Sequence, residues 1–379
     1  MRLVALTSAL LVSSSALGWG YDGHRKLASM MQNPLPAGSC LKAWLQSKQT
    51  TALQDSACDP DRWRCTMAGQ TGCDADEWPR HFLEVDWVYP PSTYPRDWNT
   101  ALATLGQFSA SRNGRVPWRV EEMYGQLVAA FAAKNEAQIL TTVFLFSHYV
   151  TDAFSLLHDT KNFDPNGIHQ RWESDMLQNT TNLNGVATLA ETYYGTLGKA
   201  DPKNNIFDIV IVGNGLVPTL LAADTSNSTL SAFYTAVKDL TARRWGDALT
   251  LLASLIWSAW ADAGAPNLTG FSTTCSRATP SGEIVLKGYP VAGGFTHPDA
   301  GTSSGGGGGS GAGGGNGGGA PGGSGGASSD AGVGGGSVGS GGGGIDSSQP
   351  VGCGCGAGPV TVWLALGSFW LVRRARKPA

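Results

Sequence analysis

Residues 136–157 read EAQILTTVFLFSHYVTDAFSLL. These 22 residues contain neither proline nor glycine and are apolar on almost every helical face, so they predict one central helix, buried all round. His148 and Asp152 interrupt the apolar surface four residues apart, which places both side chains on one face, a turn from each other. A bare carboxylate in such surroundings is costly, and a metal ion is its most economical partner. Fold and chemistry are therefore expected to meet on this helix.

Working outward, Leu240–Ala261 predicts a second long helix. Shorter helices are expected around His24–Met31, Leu41–Lys48, Val120–Ala133, Gln170–Leu177, Ala187–Leu197 and Leu230–Val237. Strand-like alternation is scarce, and a single ribbon is expected near Phe82–Tyr89. The chain thus reads as all-α: a single mostly helical domain with the metal site between central helices. Its 13 tryptophans suit core filling and groove lining.

The composition separates that domain from its flanks. Of 53 glycines in 379 residues, 26 fall within residues 301–350, where Asp330 and Asp346 are the only charges. Such a stretch has no apolar surface to bury and predicts a disordered linker over residues 291–352. The formal net charge of -3 excludes a broad basic field for polyanions but not local phosphate binding. Residues 1–18 carry Arg2, an apolar run and Ala16-Leu17-Gly18, the pattern of a cleaved signal peptide, and cleavage there makes Trp19 the first residue. Export to an oxidising space favours disulfides among Cys40, Cys58, Cys65, Cys73 and Cys275, an odd set that leaves one thiol unpaired or with an outside partner. The working domain is expected over residues 19–290, with its core ending near residue 265.

Residues 353–379 hold Cys353-Gly354-Cys355-Gly356, an apolar stretch Pro359–Val372, and Arg373, Arg374, Arg376 and Lys377. The apolar stretch predicts a short helix of about 22 Å, brief for a bilayer, with a basic end that stays cytoplasmic. This segment resembles the C-terminal sorting tag of secreted myxobacterial proteins. The resemblance implies secretion, processing by signal peptidase and a sorting protease, membrane contact through the tag and attachment to the cell envelope. A monomer is expected.

The remaining histidines extend the metal reading. His169 and Glu173 repeat the four-residue spacing of His148 and Asp152. His158 lies ten residues after His148, about 15 Å along an unbroken helix, so it serves another ion or follows a helix end. A Ser-His-Asp hydrolase is disfavoured because no Gly-x-Ser-x-Gly elbow occurs, and phosphate-loop and dinucleotide fingerprints are absent.

Trp19-Gly20-Tyr21-Asp22-Gly23-His24, His81 in Arg80-His81-Phe82-Leu83, His148-x3-Asp152-x5-His158 and His169-x3-Glu173 stand in one order along the chain. That order resembles the superfamily joining zinc-dependent phospholipases C with the fungal and plant single-strand-specific nucleases, over residues 19 to roughly 265. The resemblance implies three zinc ions: one on Trp19, through its freed α-amine and carbonyl, with His24 and Asp152; one on His81, His148 and Asp152; one on His158, His169 and Glu173. It also implies a further aspartate ligand before His81, with Asp61 of Asp59-Pro60-Asp61-Arg62-Trp63-Arg64 the first choice and Asp59 the second. The extra spacing is assigned to an insertion carrying Cys65 and Cys73.

The Trp19-to-His24 spacing and the Asp61-to-Arg64 motif look like the nucleases, whereas Glu173 and the short His158-to-His169 interval look like the phospholipases. Ala153–Leu157 departs from both in lacking a proline step before the histidine. The expected activity is a secreted zinc phosphodiester hydrolase, with phospholipid slightly ahead of single-stranded nucleic acid as substrate. Asp61 and Asp152 carry the catalytic roles, Asp61 by orienting or deprotonating a zinc-activated water. The rival of another class is a non-catalytic, metal-stabilised display protein on its glycine stalk.

Overall fold

Helix starts in this chain are written by side chains that accept from orphan amides. In the computed structural model, which describes residues 18–65 and 70–288, Ser39, Thr50, Asp97, Asn135, Asn179, Asp201 and Thr229 each cap the helix that follows. The order is α1 (Gly20–Met30), α2 (Cys40–Lys48), α3 (Thr51–Ser56), α4 (Asp59–Trp63), α5 (Trp98–Leu105), α6 (Gln107–Arg112), α7 (Val116–Ala132) and α8 (Glu136–Asp152). It continues with α9 (Ile168–Gln170), a π turn (Arg171–Asp175), α10 (Met176–Gln178), α11 (Thr180–Glu191), α12 (Pro202–Ser226) and α13 (Leu230–Asp262). The fold is all-α, and no strand occurs among the described residues.

The core is built around α8, which packs on α7, α13 and α1. Phe144, Phe146, Tyr149 and Val150 are fully buried on different sides of α8, as its all-round apolar pattern requires. α13 is buried almost continuously from Leu240 to Trp260 and carries Trp245 against Trp19, whose ring also meets Trp172 edge-on. These three buried tryptophans fix the entry of α1 beside the end of α8.

Three expectations are corrected. The central helix does not reach Leu157: it ends at Asp152, Ser155 is extended, and Leu156–His158 form a short 3-10 turn. His158 therefore follows a helix end. The ribbon near Phe82–Tyr89 does not form, because the amides of Leu83 and Glu84 bond the carbonyls of His158 and Asn113, two separate segments, and Val85–Trp87 close into a 3-10 turn. The helix expected at Ala187–Leu197 lies earlier, at Thr180–Glu191, and Tyr193 and Tyr194 leave it.

α12 is the helix that the sequence pattern conceals. Pro202, Gly213, Gly215 and Pro218 argue for a loop, yet Asp201 caps it, Pro202 sits in its first turn and Pro218 is exposed. It is long and apolar enough to cross a membrane, with a mean hydropathy of 1.9. Ile206, Phe207, Val210, Val217 and Leu220 are buried, and the helix packs on α7 and α13, as a core helix does.

Cys40–Cys275 ties the start of α2 to the segment beyond α13, and Cys65–Cys73 closes a short loop. The odd cysteine is Cys58, a buried thiol. The chain divides into units Met1–Ser304 and Gly305–Ala379. The signal segment up to residue 17, the linker and the C-terminal helix expected from the sequence lie outside the described residues.

Candidate metal centre

Every histidine singled out in the folded region, with Asp61, Asp152 and Glu173, converges on one end of α8. His24 comes from α1, Asp61 from α4, His148 and Asp152 from α8, His169 from α9 and Glu173 from the π turn, while His81 follows one 3-10 turn and His158 ends another. π turns inserted into helices are frequent at functional sites, and this one carries Glu173. All of these residues are 6% exposed or less.

Asp61, His81 and His148 offer ligand atoms within 4.8 Å of one another, as do His24, His148 and Asp152, and His158, His169 and Glu173. In the first group His81 Nδ1 is 2.9 Å from His148 Nε2, and both are 3.7 Å from Asp61 Oδ1. Asp152 Oδ2 completes it, 2.9 Å from His81 Nδ1 and 3.1 Å from His148 Nε2. Ligand atoms about 2.0 Å from a tetrahedral ion stand about 3.3 Å apart, so these distances bracket a four-coordinate site. The other carboxylate oxygen, Asp152 Oδ1, lies 3.2 Å from His24 Nε2, so one carboxylate faces both groups. In the third group His169 Nε2 and His158 Nε2 stand 2.6 Å and 3.8 Å from Glu173 Oε2.

His81 Nδ1 stands at hydrogen-bond distance from Asp152 Oδ2 and His148 Nε2, but other atoms of the cluster approach without hydrogen-bonding. His24 Nε2, both Asp61 oxygens, Asp152 Oδ1, both His169 nitrogens and Glu173 Oε2 are buried and lack a hydrogen-bond partner. Buried ligand atoms left unpartnered and converging on a common point suit a shared cation. Meanwhile the far ring nitrogens of His148 and His158 are engaged. His148 Nδ1–H donates to Ala57 O at 2.8 Å and His158 Nδ1–H to His81 O at 2.9 Å. Such contacts fix tautomer and ring orientation. The donor set and geometry fit zinc-like ions.

Asp61 is the aspartate that enters the centre; Asp59 is turned outward to Arg62 at 2.8 Å. The chain between Asp61 and His81 is pinched by Trp63 O, which accepts from Asp74 N at 2.7 Å, and by Cys65–Cys73. Trp19 is fully buried, with Nε1–H donating to Thr151 O at 2.8 Å. The Gly18–Trp19 junction lies against the centre: a Cβ added at Gly18 would run into Asp152 Oδ1 and touch His24 Nε2.

Burial opposes charge at each of these groups, and neighbours decide the net direction. Against burial, His148, His158 and His24 hold Asp152 well below the usual carboxylate range. Against burial, Arg64, His148 and His81 hold Asp61 low as well. His148 is raised, because Asp152 and Asp61 outweigh the burial that lowers it. Burial, aided by His148, pushes His24 down, and burial pushes His158 down. Ionised Asp152 and Asp61 beside His24 and His158 biased to neutrality suit a cation, while His148, raised by the same carboxylates, has to give up its proton to one.

Around the centre stand residues that received no role from the sequence. Arg64 is 4% exposed, pairs with Asp61 at 3.1 Å and lies over the Trp78 ring. It lines a pocket with His81, His158, His169, Leu157 and Phe163. That pocket shares Trp78, Phe82, Glu84 and Phe163 with a groove of about 1120 Å³ that continues past Trp98, Arg112 and Arg115. Glu77 is buried and reaches His81 Nε2 at 3.4 Å. Its four-residue spacing to His81 was a usable signal, masked by Pro79 between them.

No protein-family model matches the chain, and no curated protein matches it.

Proposed function

We propose that this protein is a secreted, zinc-dependent hydrolase of phosphodiester bonds. The observation that carries the reading is the convergence of Asp61, His81, His148 and Asp152, with ligand atoms 2.9–3.7 Å apart, in a buried cluster where the outward nitrogen of His148 is already engaged. His24 with Asp152, joined by Trp19 once its amine is free, would hold a second ion, and His158, His169 and Glu173 a third. When bound, the zinc ions supply a water that is nucleophilic near neutral pH and offset the charge on phosphoryl oxygens. Asp61 orients that water and can take its proton. Arg64, held by Asp61 and Trp78 at the pocket wall, binds a phosphate oxygen. His148 and His158 keep their tautomers through Ala57 O and His81 O.

The apolar approach formed by Leu157, Phe82 and Phe163 supports a lipid headgroup with its glycerol backbone as first substrate. A second reading, single-stranded nucleic acid, is favoured by the aromatic faces of Trp78, Phe82, Phe163 and Trp98 beside Arg112 and Arg115. The deciding experiment gives zinc-loaded protein, processed to Trp19, phosphatidylcholine micelles and single-stranded DNA in parallel, with Asp152→Asn as the blank. Cleavage of either substrate that Asp152→Asn abolishes supports the hydrolase. Three tightly bound ions without hydrolysis of either substrate would instead favour a metal-stabilised display protein.

A further inference from the structure

Between Asp152 and His158 the chain leaves α8 and crosses from the first half of the centre to the third group of ligands. Arg244, on α13, reaches this crossing from behind. Its Nε–H donates to Phe154 O at 3.0 Å, its Nη2 stands 3.5 Å from Ala153 O, and its guanidinium lies over the Phe154 ring. On the other side Nη2 is 3.9 Å from Asp159 Oδ2. Arg244 and Asp159 are both 0% exposed. One guanidinium thus spans the two residues after Asp152 and the residue after His158.

Asp159 is held there from α12 as well. Asn214 Nδ2–H donates to its carbonyl at 2.9 Å, and any Cβ at Gly213 would overlap Asp159 Oδ2, so the carboxylate fills the space that a larger residue would occupy. On the side of the ligands His158 is tied to the His81 segment, through its own Nδ1–H to His81 O and through Leu83 N–H to His158 O. Along the chain, Ser155 N–H bonds Asp152 O and His158 N–H bonds Ser155 O, and His81 Nδ1 stands 2.9 Å from Asp152 Oδ2. The guanidinium adds a brace to this crossing from behind, on the side away from the ligands.

We propose that Arg244, paired with Asp159, is a positioning residue that sets the separation between the Asp152 end of the centre and the His158–His169–Glu173 group. Burial pushes the Asp159 carboxyl well above the usual carboxylate range, with Arg244 opposing it, and a buried arginine beside a buried carboxyl rarely adds net stability, so the arrangement between two ligand-bearing turns is better explained by the geometry it imposes. The arginine fork matters because it donates to the Phe154 carbonyl on one edge while its Nη2 also stands 3.9 Å from the Asp159 carboxyl, which a lysine ammonium on its flexible stem does not reproduce. The proposal rests on the metal-centre reading above.

The test compares the processed parent with Arg244→Lys and Asp159→Asn. Three quantities are read: zinc bound per chain under chelator competition, Tm of the metal-free protein, and kcat and KM on a soluble aryl phosphodiester. Expected are metal-free Tm values close to the parent's, one ion per chain held roughly tenfold or more weakly, and kcat lowered by roughly tenfold with KM nearly unchanged. Variants that bind zinc and turn over like the parent overturn the proposal, as do variants that lose only Tm. Should Arg244→Lys fail to fold, Asp159→Asn, which preserves volume, decides by the same readouts. A parent that takes up no divalent ion sinks the metal-centre reading itself; parent uptake with unaltered variants sinks only the positioning role.

Discussion

Glu77 holds the back of the His81 ring: its Oε1 lies 3.4 Å from His81 Nε2, while Nδ1 of the same ring faces Asp152 Oδ2 at 2.9 Å. The carboxylate is itself held, accepting from the Tyr149 hydroxyl, which in turn accepts from Arg119 at 3.3 Å. His81 thus meets the cluster through Nδ1, with the Glu77 carboxylate lying 3.4 Å from its far nitrogen. Glu77→Gln keeps the shape and removes the charge. It should weaken zinc at the Asp61–His81–His148 group by roughly tenfold to a hundredfold, the usual effect of losing an outer carboxylate on a ligating histidine. Equilibrium competition with a chelating dye measures this; parent affinity in the variant would show that Glu77 serves packing alone.

The Gly18–Trp19 junction touches His24 and Asp152, so the processing state should be legible in metal content. In an uncut chain the Trp19 nitrogen is an amide and has no lone pair to give. Protein beginning at Trp19 is expected to bind one more zinc ion than protein retaining Gly18 and an extra residue before it. Atomic emission on dialysed samples counts the ions. Equal counts would remove Trp19 from the ligand set and leave His24 and Asp152 to act without it.

How much of this was legible in sequence follows from the range over which each signal acts. The His148–Asp152 and His169–Glu173 pairs were readable because a four-residue spacing maps onto one helix face by local geometry alone. The all-α class was readable for the same reason, since α8 and α13 carry long uninterrupted apolar runs. The break after Asp152 was not: Ala153–Leu157 has no proline or glycine, and the chain turns there because Ser155 bonds Glu173 and Arg244 binds the Phe154 carbonyl, both distant in sequence. α12 was missed for the converse reason, as packing on α7 and α13 overrides two internal glycines and a proline. Arg64 stood inside a quoted motif, but its position against the metal pocket depends on the Trp63–Asp74 bridge and on Cys65–Cys73.

Cys58 gives the pH prediction. Burial pushes its thiol up from 9.0 to about 12, so the folded protein keeps it neutral where the unfolded chain ionises it. The stability this contributes is fully present below pH 9 and is lost as pH rises from 9 through about 12. Relative to Cys58→Ala, the parent should lose about 2 to 3 kcal/mol between pH 9 and pH 11, measured by denaturant unfolding at each pH. At pH 8 the native thiol should also resist alkylation until denaturant is added. A thiol that alkylates rapidly in the native protein, or parallel stability curves for the two chains, would place Cys58 in a far less enclosed setting.

The groove beyond the metal pocket makes the last prediction. At about 1120 Å³ it exceeds the usual range for a drug-sized ligand, so a headgroup or single nucleotide at the metals leaves most of it open. Its far part carries Trp98 and Arg112, on α5 and α6, away from every ligand of the centre. Trp98→Ala combined with Arg112→Ala should leave kcat/KM on a small aryl phosphodiester within about twofold of the parent. On the long natural-type substrate the same pair should cost about tenfold or more, since stacking contributes about 1 to 3 kcal/mol per base and lipid contacts of similar area contribute comparably. Adding salt separates the two occupants: a polynucleotide loses affinity steeply as ionic strength rises, and an uncharged or zwitterionic lipid does not. Equal losses on short and long substrates would mean that the groove acts on the metal centre through the fold and not by holding substrate.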